Sequence, residues 1–220
     1  MTSFIFGSGA IALYLLGWIS HVLDLVNRGK FKIPFVQTLT VLAIVLHGFA
    51  TFDLLLNDGG LDLSLLKILS LLALVINGLV FVTSRREPVS SLYLVLLPIS
   101  VVTLVLALIS SSTKSTAVIP YSLQAHILTS IVAYSFLAIA ALQALLVGYQ
   151  NWQLKHKHQN ALMRTMPALE TMEKLLFKLI WLGEVLLTAS LLTGFYVYDD
   201  FFAQQLIHKV TFSIVAWLVY

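Results

Sequence analysis

Seven long apolar runs separated by short polar stretches set the pattern of this chain. They cover about 4–26, 33–56, 63–83, 92–109, 123–149, 175–197 and 205–220. A helix needs roughly 20 apolar residues to cross a hydrocarbon core about 30 Å thick. The first six runs reach or approach that length. The seventh stops at Tyr220 in mid-pattern, so its span is expected to be incomplete. The pattern predicts an all-α fold: a polytopic transmembrane helix bundle forming one transmembrane domain over residues 1–220. Pro34 falls in the first turn of the second run, where a missing N–H costs nothing. Pro98 lies inside the fourth, where it kinks the helix or marks its first turns.

The polar interruptions carry an orientation signal. Loops one, three and five hold Arg28, Lys30, Lys32, Arg85, Arg86, Lys155, Lys157, Arg164 and Lys174. Loops two, four and six hold only Lys114 and, at the last boundary, Lys209. The positive-inside rule places the odd loops in the cytoplasm and the N-terminus outside. The loop from Asn57 to Asp62 is acidic, and 110–118 is rich in Ser and Thr. The longest polar stretch, 151–174, is basic and offers a docking surface for a membrane or cytoplasmic protein partner. The alternation of Glu and Lys over 171–178 reads as amphipathic, as in a segment lying at the membrane interface.

Composition sharpens this picture. The chain is 59% hydrophobic and 10% charged, against roughly 25% charged for a soluble domain, so the lipid bilayer is its principal surroundings. The net charge of +3 is dispersed among loops and does not point to nucleic acid. There is no cysteine, which excludes disulfides, thiolate metal sites, thioether attachment of haem to this chain and Cys-x-x-Cys redox chemistry. The first run lacks the basic start of a cleavable signal and is long enough to remain as a span. No phosphate loop, zinc-protease motif or nucleophile elbow occurs, and no residue is assigned a catalytic or metal-ligand role. Internal repeats of the kind built into many transporters are absent from the sequence.

Ionisable groups inside spans are costly unless paired or facing a cavity. His47, Asp53, Lys67, His126 and Glu184 fall there. Neutral imidazole is a natural axial ligand of haem iron, so His126, His47 and His208 are candidate haem ligands. His126 and His208 are expected at the outer face, with His47 deeper. Each also has a plainer reading: an interfacial histidine at 126, a histidine bonded to a neighbouring helix at 47, a loop residue at 208. Lys67 is expected to snorkel to the interface, and Asp53 to do likewise or to pair with Lys67. Glu184 could pair with a histidine, stay protonated, or belong to a proton or cation path. His21 reads as interfacial, and His156 and His158 as part of a solvated basic loop.

Two stretches resemble the cytochrome c assembly protein superfamily of haem-handling membrane proteins. One is His126-Ile127-Leu128-Thr129-Ser130-Ile131-Val132-Ala133-Tyr134, preceded by Pro120 and Leu123-Gln124. The other is His208-Lys209-Val210-Thr211-Phe212-Ser213-Ile214-Val215-Ala216-Trp217, with Lys and Trp eight apart. Leu186-Leu187-Thr188 to Thr193-Gly194 also looks like that superfamily's sixth span. Within it the chain looks like the YpjD-type inner-membrane proteins, to which Leu61-Asp62-Leu63-Ser64-Leu65-Leu66 and Met166-Pro167-Ala168-Leu169-Glu170 are similar. The resemblance implies a bacterial inner membrane, eight spans in all, and His126 at the position of the first external haem ligand. It implies less specifically that His47 matches an intramembrane ligand. His208 stands where many relatives have Pro. The tryptophan-rich segment of true haem lyases corresponds here to 196–205, which contains no tryptophan. What the resemblance implies is therefore an accessory protein that binds, transits or senses haem without lyase activity. From the residues alone, a non-haem structural partner and an ion-transport accessory built on Glu184, Asp53 and Lys67 stay open.

Overall fold

In the computed structural model the described residues are 2–27, 33–57, 60–84, 90–110, 120–157, 162–163, 166–197 and 207–220. Among them are seven helices of eight residues or more: α1 (Thr2–Asn27), α2 (Ile33–Leu55), α3 (Leu65–Thr83), α4 (Tyr93–Ile109), α5 (Tyr121–Lys155), α6 (Leu169–Val197) and α7 (Ile207–Val219). A two-residue antiparallel ladder, Leu56–Asn57 with Gly60–Leu61, joins α2 to α3. Five helices (α1, α2, α3, α5 and α6) are long and apolar enough to cross a membrane. The runs in the sequence and the helices agree within a few residues. The reason is that hydrocarbon leaves a backbone no hydrogen-bond partner but itself, so each apolar run must close its own helix.

Two helices are longer than their apolar runs. The 171–178 segment is the first part of α6 rather than a separate interfacial helix. Its Glu170–Lys174 pair, 2.7 Å apart and one turn apart, is exposed and suits continuation of the helix. At about 1.5 Å per residue, the 35 residues of α5 exceed the bilayer core, and Asn151–Lys155 lie in its last turns.

The chain separates into two compact units, Met1–Ala117 with Leu146–Leu169, and Val118–Leu145 with Glu170–Tyr220. In the first unit α1 packs on α2 and α4, and α3 packs on α2 and α4, closing a four-helix ring. Small residues set the close approaches: a Cβ on Gly7 would meet the Leu108 side chain at 2.7 Å. Buried polar side chains tie the ring internally. Asn77 Nδ2 donates to Ser100 Oγ at 2.5 Å, between α3 and α4.

Pro98 leaves a mark on this ring. It sits within α4 and cannot donate to the carbonyl four residues back, that of Leu94. The indole Nε1 of Trp18, on α1, donates to that oxygen at 3.0 Å. A carbonyl that proline would orphan in the membrane is thus satisfied by a neighbouring helix.

In the second unit Ala133 and Leu137 of α5 pack against Leu187 of α6, with Leu186, Leu191 and Ala216 around them. At Gly183 α6 comes so near α5 that an added Cβ would lie 2.5 Å from Leu137 Cδ2 and 3.3 Å from its backbone nitrogen. The first part of α7 is joined to α5 by a Tyr134–Ser213 hydroxyl contact. Further along, Trp217 Nε1 donates to Thr188 Oγ1 at 2.9 Å and Tyr220 OH to the Leu137 carbonyl at 3.1 Å.

Candidate functional site

His126 lies in the second turn of α5, which starts directly after Pro120. Its half-buried ring faces α6. Nδ1 is 3.1 Å from the Ser190 carbonyl oxygen and 3.3 Å from Thr193 Oγ1. One turn on, the Ser130 hydroxyl donates to the His126 carbonyl at 2.7 Å and meets Ser190 Oγ at 2.7 Å. Thr193 Oγ1 donates to the Ser190 carbonyl at 2.9 Å. Both pairs follow helical spacing: Ser130 is four residues after His126, and Thr193 three after Ser190, so each pair shares a face. Small polar residues at those spacings were visible in the sequence as separate facts. Nothing in the sequence joined one pair to the other.

His47 belongs to the first unit and is fully buried. Nδ1 lies 3.1 Å from Tyr14 OH on α1, and Nε2 2.9 Å from Ser70 Oγ on α3. The Tyr14 and His47 rings meet edge to face, with centroids 5.7 Å apart. Both imidazole nitrogens therefore engage hydroxyl groups of neighbouring helices, the plainer of the two readings the sequence allowed. Tyr14 and Ser70 carried no signal of this role. His208 is exposed in the first turn of α7.

Two expectations about charge are corrected. Lys67 does not snorkel: its side chain is 1% exposed and its Nζ lies 2.6 Å from Asp62 Oδ2. Asp53 does not pair with it. Asp53 Oδ2 instead accepts from Thr2 Oγ1 at 2.8 Å and from the Ser3 backbone N–H at 2.7 Å. A carboxylate at the start of α1 meets the positive end of the helix dipole and its unpaired N–H groups. Asp62 does the same for α3, accepting from the Ser64 N–H at 3.0 Å. Glu184 is half-buried on α6, and its Oε1 is buried with no hydrogen-bond partner among the described residues. No group of three or more His, Cys, Asp or Glu side chains is gathered for a metal ion among the described residues.

Helices of this length and hydropathy define a multi-pass helical membrane protein. Sequence comparison narrows the class. The cytochrome C assembly protein family matches residues 35–220, and the chain belongs to that family. It is also 34% identical over 183 residues to "Inner membrane protein YpjD" of Escherichia coli strain K12, covering 82% of this chain and 69% of that protein. The same protein from strains O6:H1 and O157:H7 matches equally. No solved structure matches significantly. The chain is a multi-pass inner-membrane protein of the cytochrome C assembly family.

Proposed function

We propose that this protein binds haem, or passes it on, as an accessory of cytochrome c assembly without attaching it to an apoprotein. The observation that supports the reading is the anchoring of His126 through Nδ1 to the α6 backbone at Ser190. An imidazole held by one nitrogen on a carbonyl ligates through the other, with its ring direction set in advance. When bound, haem would supply an iron centre for His126 to hold through its imidazole. His208 is the candidate for a second ligand in the same unit; His47, in the other unit, is a separate candidate and would first release Tyr14 or Ser70. The absence of tryptophan over 196–205 supports a role other than a lyase.

The reading includes an orientation. Excess Lys and Arg in the odd loops puts them in the cytoplasm and the N-terminus outside. Cysteine scanning with an impermeant thiol reagent tests it, because the chain has no cysteine of its own. Labelling of a Thr2→Cys variant only after membrane disruption refutes it.

The test of haem binding is a reduced-minus-oxidised absorbance spectrum of protein purified from haem-replete cells. Wild type is compared with His126→Ala, His47→Ala and His208→Ala. A Soret band that shifts or disappears with His126→Ala is expected. A wild-type protein without a haem signal refutes the reading.

A second reading, docking of a protein partner through 151–174, draws on the last turns of α5. Trp152 is exposed there, with the His156 ring centroid 4.6 Å from its own. Photo-crosslinking from position 152 that captures only lipid removes it.

A further inference from the structure

The hydrogen bonds around His126 can be given their protons one by one. The Ser130 hydroxyl has one hydrogen, and it goes to the His126 carbonyl, which can only accept. In the Ser130–Ser190 contact the donor is therefore Ser190. The single hydroxyl hydrogen of Thr193 goes to the Ser190 carbonyl, which again can only accept. Nδ1 of His126 thus faces two oxygens, the Ser190 carbonyl and Thr193 Oγ1, with no hydrogen directed at it from either. It must carry the proton itself.

We infer that Ser130, Ser190 and Thr193 are positioning residues that lock His126 as the Nδ1–H tautomer and make Nε2 its Lewis-basic nitrogen. The ring of bonds closes on itself: His126 to Ser190, Ser190 to Ser130, Ser130 back to the His126 backbone. It ties the second turn of α5 to α6 around the imidazole. Rotating the ring would break two bonds to Nδ1 together, and sliding one helix along the other would break the serine pair. The first acceptor of the Nδ1 proton is the Ser190 backbone carbonyl, and the serine pair holds α5 and α6 in the register that presents it to the ring. Thr193 adds the second acceptor and holds that carbonyl from the other side. The positioning role rests on the haem-binding reading, whereas the tautomer stands without it.

The experiment is nitrogen-15 NMR of the histidine-labelled, haem-free protein, with the six histidines sorted by loss of one signal pair in His126→Gln. Wild type is expected to show a protonated Nδ1 and an unprotonated Nε2 at His126. A protonated Nε2 with a bare Nδ1 overturns the inference. Thr193→Val, and Ser130→Ala with Ser190→Ala, should give mixed tautomer signals, while Thr193→Ser keeps the wild-type pattern. If Thr193→Val does not fold, Ser130→Ala alone carries the same comparison; an unchanged tautomer in every variant overturns the lock.

Haemin titration then reads the positioning role. Thr193→Val should weaken binding roughly 10–100-fold, the usual effect of losing a partner that orients a ligand, with Thr193→Ser restoring it. Equal affinity in both variants overturns the role. Wild type that fails to bind haemin removes that role and the haem reading together, and leaves the NMR result standing.

Discussion

The link between Trp18 and Pro98 makes a prediction that isolates one hydrogen bond. Trp18→Phe keeps an aromatic ring on α1 and removes the indole N–H, which leaves the Leu94 carbonyl unpaired inside the ring. An unsatisfied buried carbonyl costs roughly 1–3 kcal/mol, while polar bonds between membrane helices average about 0.6 kcal/mol in measured cycles. Both groups are half-buried, so the expected cost is about 1–2 kcal/mol. Pro98→Ala supplies the backbone N–H that proline lacks, and the Leu94 oxygen then accepts within its own helix. In that background Trp18→Phe should cost about 0.5 kcal/mol or less, a coupling of about 1 kcal/mol. The assay is reversible unfolding of micelle-solubilised protein in SDS, followed by helix circular dichroism, for the four members of the cycle. An equal penalty for Trp18→Phe in the wild-type and Pro98→Ala backgrounds would refute the claim that Trp18 replaces the bond proline removes.

Other predictions follow from the same physics. Asp62→Asn keeps an acceptor for the Ser64 N–H but strips the carboxylate from buried Lys67, and should cost about 3–5 kcal/mol. Lys67→Met should cost less, because the α3 N-terminus still supports the Asp62 charge, and the double variant should recover most of the loss in the same SDS assay. Additive penalties would refute the pairing. Gly183→Ala places a methyl against Leu137 side chain and backbone and should destabilise the second unit by about 1–3 kcal/mol, read as a lowered melting temperature. No change would mean that α5 and α6 separate at no cost. Asp53→Ala removes the cap on the start of α1 and should cost about 1 kcal/mol. Its signature is faster hydrogen exchange at the first amides of α1, and unchanged exchange at Ser3 would count against the cap.

How legible the site was depends on the range of the interaction. His126 could be singled out because a titratable ring in an apolar run is a local anomaly. Its partners Ser190 and Thr193 could not, since serine and threonine are ordinary in membrane helices and their meaning came from facing a histidine over 60 residues away. Lys67 was misread at short range: its partner Asp62 lies only five residues before it, where the sequence reading pointed to the more distant Asp53.

By itself the sequence determined where the helices are, that they lie in a membrane, and the family to which they belong. Apolar length and hydropathy are local quantities, and a chain in hydrocarbon has one way to satisfy its backbone. Proline positions likewise marked where that satisfaction would fail. The tertiary structure decided who makes good each failure: Trp18 for the Leu94 carbonyl, Tyr14 and Ser70 for His47, and Ser190 with Thr193 for His126. Those choices depend on the rotation of each helix about its axis and its height against its neighbours. Both are fixed by close packing at small residues such as Gly7 and Gly183, between segments far apart in the chain.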